Sequence, residues 1–192
     1  MKKLVHFTLL MLLVVTLAGC VSPPPHEVLI VIRRYVSADM PYMTDNELGV
    51  MIDMLEDADC KVWVASISDD PYESETRTIT PDIMVDSVDV EDFDAVILPC
   101  LAAYAVLPPR EIIELVADFN KQKKVIAAQY NARLILRKLD IVTTDQMTSS
   151  GVTQEGRIIT SGCCPYAGRY YGCEDGTRAL IEKVITTLNE GV

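Results

Sequence analysis

The chain has 192 residues, with 17 basic and 28 acidic side chains and a formal net charge of −11. That length suits one domain with a sizeable core. The acidity excludes a protein held electrostatically on nucleic acid or on anionic lipid headgroups, and it fits a solvated surface that keeps the chain soluble.

The N-terminus comes first. Lys2 and Lys3 precede Leu9 to Leu17, an apolar run interrupted only by Thr16, and Leu17-Ala18-Gly19-Cys20 follows. A basic start, an apolar run and small residues before a cut site describe a secretory signal peptide. The run falls short of the roughly 20 apolar residues of a membrane span. The Leu-Ala-Gly-Cys tetrad resembles a prokaryotic lipobox, which implies cleavage before Cys20 and a diacylglycerol on its sulfur. An ordinary signal peptide with a chance cysteine, or an uncleaved anchor, is the alternative. The chain then divides into a lipoprotein signal peptide (1–19), a Pro-rich tether (20–27) and a folded domain (28–192). On this reading the protein is exported and held at the extracytoplasmic face of a membrane through Cys20. Cleavage removes two lysines and no acid, which takes the charge from −11 to −13.

Val28 to Ile32 is a continuous apolar run of strand length, the pattern of a parallel strand buried on both faces. Leu48, Met51, Ile52 and Leu55 recur at helical spacing. Lys61 to Ser66 is a second strand. Glu75 to Val88, rich in Thr and Val and punctuated by Pro81-Asp82, reads as a small hairpin or extended excursion. Asp94 to Leu98 is the next buried strand. Pro108-Pro109 opens a helix bearing Ile112, Ile113, Val116 and Phe119. Val125 to Ala128 is a short strand, Asn131 to Lys138 suits a helix, and Arg157 to Thr160 is a late strand. Leu180, Ile181, Val184, Ile185 and Leu188 mark a C-terminal helix. This alternation predicts an α/β fold, doubly wound, with a mostly parallel sheet sandwiched by helices. Ligands in such sheets sit at the carboxyl ends of the strands. Here those ends are Arg33-Arg34, Pro99-Cys100, Gln129-Tyr130 and Ser161-Gly162-Cys163.

Six cysteines are present, and lipidation of Cys20 leaves five: Cys60, Cys100, Cys163, Cys164 and Cys173. An exported chain meets oxidising conditions, where disulfides persist. The odd number leaves at least one thiol without a partner in the chain. No cysteine spacing is a convincing zinc pattern, and neither a metal nor a cofactor is expected.

Four stretches in order resemble the ThiJ/PfpI family, relatives of the class I glutamine amidotransferases. They are the first strand with the helix ending Ile52 to Ala58 and strand Lys61 to Ala65; Thr80-Pro81-Asp82 through Asp92 to Pro99; Lys124 to Ala132; and Glu155 to Gly162 with the last helix. The resemblance implies a flavodoxin-like sheet and, in many relatives, a dimer. It also implies a cysteine on a strand-to-helix elbow, and here Ala127-Ala128-Gln129-Tyr130-Asn131-Ala132 fills that stretch, with Tyr130 at the nucleophile position. A phenol titrates near 10 and is rarely an acyl nucleophile. The family histidine is missing, since His6 and His26 lie in the signal peptide and tether. The family's glycine pair after Leu-Pro, which shapes an oxyanion pocket, reads Cys100-Leu101. Glu47 falls where the family keeps an acid touching the nucleophile. It is either that acid, able to accept a hydrogen bond from the Tyr130 hydroxyl, or a solvated carboxylate favoured at a helix start.

Glu47, Cys100, Leu101, Tyr130 and Asn131 therefore outline a vestigial pocket without a catalytic residue. Around it, Cys100, Cys163, Cys164 and Cys173 form a disulfide or thiol site with three readings. These are a stapled loop, a thiol redox or metal-capture site, and a relocated nucleophile at Cys100 or Cys163 beside Glu47. Arg133 or Arg169 would be needed to acidify such a nucleophile. The expected function is a non-catalytic lipoprotein that binds a small molecule or a protein. A hydrolase or thiol-redox enzyme using Cys100, Cys163 or Cys164 is the alternative, and the tyrosine-rich loop 161–173 is a homodimer surface in a third.

Overall fold

A computed structural model describes residues 24–33, 39–103 and 109–191. The signal peptide, Cys20, Arg34 and Pro108 lie outside the described residues.

β1 (Glu27–Ile32) is buried without a break from Val28 to Ile32. Successive side chains on a strand point to opposite faces. Val28, Ile30 and Ile32 enter one core and Leu29 and Val31 the other, which accounts for the absence of polar alternation. Next come a short helix α1 (Met40–Met43), a π-helical turn (Thr44–Gly49) and α2 (Val50–Asp57). β2 (Lys61–Ser66) pairs in parallel with β1 along its whole length.

The segment expected as a hairpin or excursion splits in two. β3 (Tyr72–Glu73) and β4 (Thr78–Ile79) form a separate antiparallel hairpin, whereas β5 (Ile83–Met84) joins the edge of the main sheet beside β2. Asp82 steers the chain into that edge. Its Oδ2 accepts the Val64 N–H at 2.8 Å, and its own N–H donates to the Val64 carbonyl at 2.8 Å.

The rest of the described chain alternates. In order, β6 (Ala95–Leu98), α3 (Arg110–Lys121), β7 (Val125–Gln129), α4 (Arg133–Lys138) and α5 (Thr144–Thr148) precede β8 (Val152–Glu155). β9 (Ile158–Ser161), α6 (Pro165–Tyr171) and α7 (Thr177–Glu190) complete it. The sheet has seven strands in the order β5-β2-β1-β6-β7-β9-β8, and β8 pairs antiparallel to β9. Met51 and Leu55 of α2 and Leu180 and Val184 of α7 pack on one face, while Ile112, Val116 and Phe119 of α3 and Leu136 of α4 pack on the other. This is a doubly wound, flavodoxin-like α/β fold. β2 leaves β1 on one side and β6 joins it on the other, so the order of strands reverses there. That is where such sheets open a crevice at their carboxyl ends.

Two further stretches differ from the sequence reading. The helix expected from Asn131 begins as a 3₁₀ turn (Tyr130–Ala132) before α4. Loop 161–173 contains α6, which starts on Pro165 and stops at Gly172, held left-handed at φ 72°. Proline at the start and glycine past the end are helix boundary signals, here masked by the glycines and tyrosines between them.

Two sets of contacts outside the core fix the elements that reach the crevice. Asp45, on the π turn, accepts hydrogen bonds from Ser74 Oγ and Thr76 Oγ1, each at 2.6 Å. Arg77 grips Asp53 of α2 with two bonds of 3.0 and 2.9 Å. The β3–β4 hairpin thus clamps the π turn. A disulfide, Cys163–Cys173, closes over α6 with a sequence separation of 10.

Two stability predictions follow from these clamps. The hydroxyls of Ser74 and Thr76 hold the Asp45 carboxyl below its usual range. A depressed carboxylate adds stability above its unfolded pKa, and that stability is lost as pH falls through the folded value. Asp45→Asn should cost about 1 kcal/mol at neutral pH, with the gap to wild type closing in acid, as read by urea unfolding from pH 7 to 2.5. The double variant Cys163→Ser/Cys173→Ser should lose about 2.5 kcal/mol for a loop this short, measured the same way under oxidising conditions.

Candidate functional site

β7 is buried to its last residue, and the chain then turns sharply at Tyr130, whose φ is 49°. A bulky residue in the left-handed region carries a cost of about 1–3 kcal/mol and persists only where its surroundings hold it. Two buried side chains do so. Arg133 donates from Nε to the Tyr130 carbonyl at 3.1 Å and from Nη1 to the carbonyls of Gln146 and Ser149 at 2.9 and 3.0 Å. Gln129 donates from Nε2 to the Cys163 carbonyl at 3.0 Å and to Thr177 Oγ1 at 2.8 Å. Tyr130 itself is partly exposed, and burial pushes its phenol above the ordinary value.

Glu47 is brought to the same place from the other side of the crevice. It sits on the π turn and is completely buried, which excludes the solvated helix-start reading. π-helical turns are rare and recur at functional sites. The carboxylate does not bond the Tyr130 hydroxyl, so the expected lock between the two is absent. Its partners are the backbone N–H groups just past β6: Cys100 donates to Oε1 at 2.7 Å and Leu101 to Oε2 at 3.3 Å. These are the N–H groups that an oxyanion pocket would need, and the carboxylate occupies both. Burial holds the Glu47 carboxyl well above its usual range, the nearby Cys164 sulfur adds to that, and the two N–H bonds oppose it.

The cysteines separate into two kinds. Cys163 and Cys173 are oxidised, whereas Cys60, Cys100 and Cys164 are buried free thiols. This realises the staple at one pair only, and it removes Cys163 as a relocated nucleophile. Its neighbour Cys164 faces the crevice instead. One ligating atom each from Glu47, Cys100 and Cys164 lies within 4.8 Å of the other two. Cys100 lends its S–H to Cys164, which pulls the Cys164 thiol below the ordinary value. The N–H groups of Ala167 and Tyr166 act in the same direction, against burial. The same contact, with burial and Glu47, pushes the Cys100 thiol well up, and the Asn131 N–H only partly offsets it. Cys164 is thus the first of the pair to ionise, with Cys100 as its donor. The Asn131 N–H faces the Cys100 sulfur, so donors from the bend and from the β6 end (Asn131, Cys100 and Leu101) serve groups inside the cluster.

The cations proposed as thiol activators are engaged elsewhere. Arg133 is spent on carbonyls, and Arg169 lies over the rings of Tyr42 and Tyr170 at 4.8 and 5.6 Å. His26 contacts Asp94 at 3.3 Å beside the amino end of β1, at the far edge of the sheet from the crevice. Cys60 stays a core cysteine, its thiol raised by burial. Reading from the sequence alone grouped Cys164 with its neighbours but did not single it out. The one local signal is the adjacency of Cys163 and Cys164, which sends two sulfurs in different directions from one strand end.

Comparison with known proteins agrees with this architecture. The DJ-1/PfpI family model matches residues 35–163. No curated protein matches the sequence. Among solved structures, a ThiJ/PfpI domain protein from Brachyspira murdochii is similar at 17% identity, with a TM-score of 0.62, over 88% of this chain and 100% of that one. A DJ-1 superfamily protein from Agrobacterium tumefaciens is similar at 16% identity, TM-score 0.54, over 86% and 99% of the two chains. Oxidised DJ-1 from Toxoplasma gondii is similar at 16% identity, TM-score 0.51, over 87% and 100%. These identities speak for the fold, and the family match spans more than half of the sequence: the chain belongs to the DJ-1/PfpI family.

Proposed function

We propose that the protein is an extracytoplasmic lipoprotein that has left the elbow-nucleophile chemistry behind and serves as a binding protein. The observation that carries this reading is the use made of the Cys100 and Leu101 N–H groups. Both donate to the buried Glu47 carboxylate. A developing oxyanion needs preorganised donors that are not already committed. At the bend stands a phenol whose pKa is raised rather than lowered, and nucleophile activation requires the opposite shift. Among the described residues no imidazole lies in the crevice to accept the phenol's proton at neutral pH. Lys2 and Lys3, the apolar run and Leu17 to Cys20 support the lipid anchor.

A second reading, thiol chemistry, draws on one specific observation: Cys164 is a buried thiol held below its ordinary pKa beside a donor thiol. Thiolate character is what makes a cysteine reactive. Its complete burial and, among the described residues, the lack of an imidazole beside it weigh against access and turnover.

One experiment separates the readings. The full chain, purified from membranes in detergent, should show no peptidase, deglycase, glyoxalase or glutaminase turnover above a buffer control, and Tyr130→Phe should change nothing. Turnover that vanishes in Tyr130→Phe would overturn the binding-protein reading, and turnover that vanishes in Cys164→Ser would establish the thiol enzyme. The anchor has its own measurement. Metabolic labelling with a palmitate analogue should mark the wild type, and Cys20→Ala should lose the label and move from the membrane to the soluble fraction. An unlabelled wild type would sink the lipid anchor.

A further inference from the structure

We propose that Glu47, Cys100 and Cys164 form a binding site for a thiophilic metal cation of the zinc or copper(I) class. This rests on the binding-protein reading and names its ligand.

The geometry comes first. One oxygen and two sulfurs, from residues far apart in sequence, lie within 4.8 Å of one another, and all three residues are fully buried. Metal–sulfur bonds of about 2.3 Å and metal–oxygen bonds of about 2.0–2.2 Å can be reached from such a triangle with small side-chain adjustments. The three side chains come from separate elements: the π turn after β1, the end of β6 and the start of α6. The Cys163–Cys173 bond, the Gln129 contact to the Cys163 carbonyl and the Asp45 clamp fix two of those elements.

The donor set decides the class of ion. Two thiolates select soft or borderline cations such as copper(I) and zinc, and disfavour magnesium and calcium, which demand an oxygen shell. The carboxylate suits zinc and is already oriented. Each of its oxygens accepts one N–H and keeps a further lone pair, so the bonds to Cys100 and Leu101 act as the outer-shell hydrogen bonds that metal sites use to hold a ligand.

Electrostatics point the same way. Three groups that each carry a negative charge when ionised share one buried space, and burial makes Glu47 and Cys100 hold their protons there; ionising them in place needs a counter-charge or a metal. Among the described residues no lysine, arginine or histidine supplies it, since Arg133 and Arg169 are engaged elsewhere. Metal entry balances as follows. The cation forms bonds to both sulfurs and to a Glu47 oxygen, and the protons those groups hold leave to solvent. No electron is transferred. Three protein ligands are one fewer than a closed structural zinc site provides, which leaves a fourth position for water or another small ligand. The partly exposed Tyr130 adjoins both sulfurs and marks the side of the cluster nearest solvent.

The test uses the full chain in detergent, reduced anaerobically under conditions that thiol alkylation shows to leave the Cys163–Cys173 bond intact, freed of reductant and titrated with cobalt(II). One cobalt per chain with a thiolate-to-metal charge-transfer band in the near ultraviolet is expected, displaced by zinc. Cys100→Ser and Cys164→Ser should each weaken binding by more than ~100-fold, because losing a ligand exceeds the 10–100-fold loss typical of an outer-shell partner. Glu47→Gln should weaken it at least ~10-fold. Cys60→Ser, which removes the free thiol outside the cluster, should bind as wild type does. The wild-type charge-transfer band reports the thiolates directly, so an unfolded variant does not obscure the outcome. No cobalt uptake by reduced wild type, uptake unaltered in Cys100→Ser or Cys164→Ser, or a Cys100–Cys164 disulfide that resists reduction would overturn the site. Turnover assays on the same preparations keep the two failures apart. Absent uptake with absent turnover removes the metal but leaves the binding-protein reading, whereas turnover dependent on Cys164 removes the reading itself.

Discussion

The crevice is organised by the Glu47 carboxylate. It is the one buried acid among the described residues, and it joins two parts of the chain that the sheet alone does not connect: the π turn after β1 and the backbone just past β6. A buried carboxyl group is tolerable only when hydrogen-bonded. Here the partners are two consecutive N–H groups, which themselves need acceptors because the short 3₁₀ turn that begins at Cys100 provides none. Each side therefore satisfies the other. The binding-protein proposal rests on this pairing, since donors committed to a resident carboxylate are not free to receive charge that develops on a substrate.

The bend at Tyr130 is held by a second set of contacts. A left-handed tyrosine is held by Arg133 and Gln129, whose hydrogen bonds tie the bend to α5, to the Cys163 carbonyl and to Thr177 at the start of α7. The fold thus retains a costly backbone conformation at a position where the side chain is a poor nucleophile. The chemistry-bearing groups of the crevice are the neighbours of the bend. Those neighbours are the sulfurs of Cys100 and Cys164, and the Asn131 N–H beside Cys100.

Much of the fold was legible in the sequence, for a physical reason. β1, β6 and β7 are buried on both faces, so their residues are apolar without interruption and stand out from their surroundings. β8 did not stand out: Val152–Glu155 is a half-buried edge strand, polar at all but Val152, paired only with β9. The bend could be located because Tyr130 directly follows a buried strand and precedes helical spacing. The burial of Glu47 could not be read, since it stands between Asp45, Asn46 and a glycine in a stretch with a polar surface pattern. Its environment is made by residues more than fifty positions away. The division of labour between Cys163 and Cys164 was equally hidden, because local spacing does not say which of two adjacent sulfurs faces a loop and which faces a crevice.

If the protein works, as proposed, in an oxidising compartment, the adjacent cysteines at the strand end resolve a conflict that this setting would impose on the cluster. Thiols left close together there tend to pair, and five cysteines cannot all do so. Cys163 closes onto Cys173 across α6, which commits the more peripheral sulfur and fixes the backbone that carries Cys164. Cys164 and Cys100 are sealed from solvent, and burial limits the access of oxidants that attack exposed thiolates. One disulfide thus serves the neighbouring thiols by rigidity rather than by chemistry. The result is a pair of reduced sulfurs with a carboxylate beside them, set at the reversal of strand order where this class of sheet gathers its ligands.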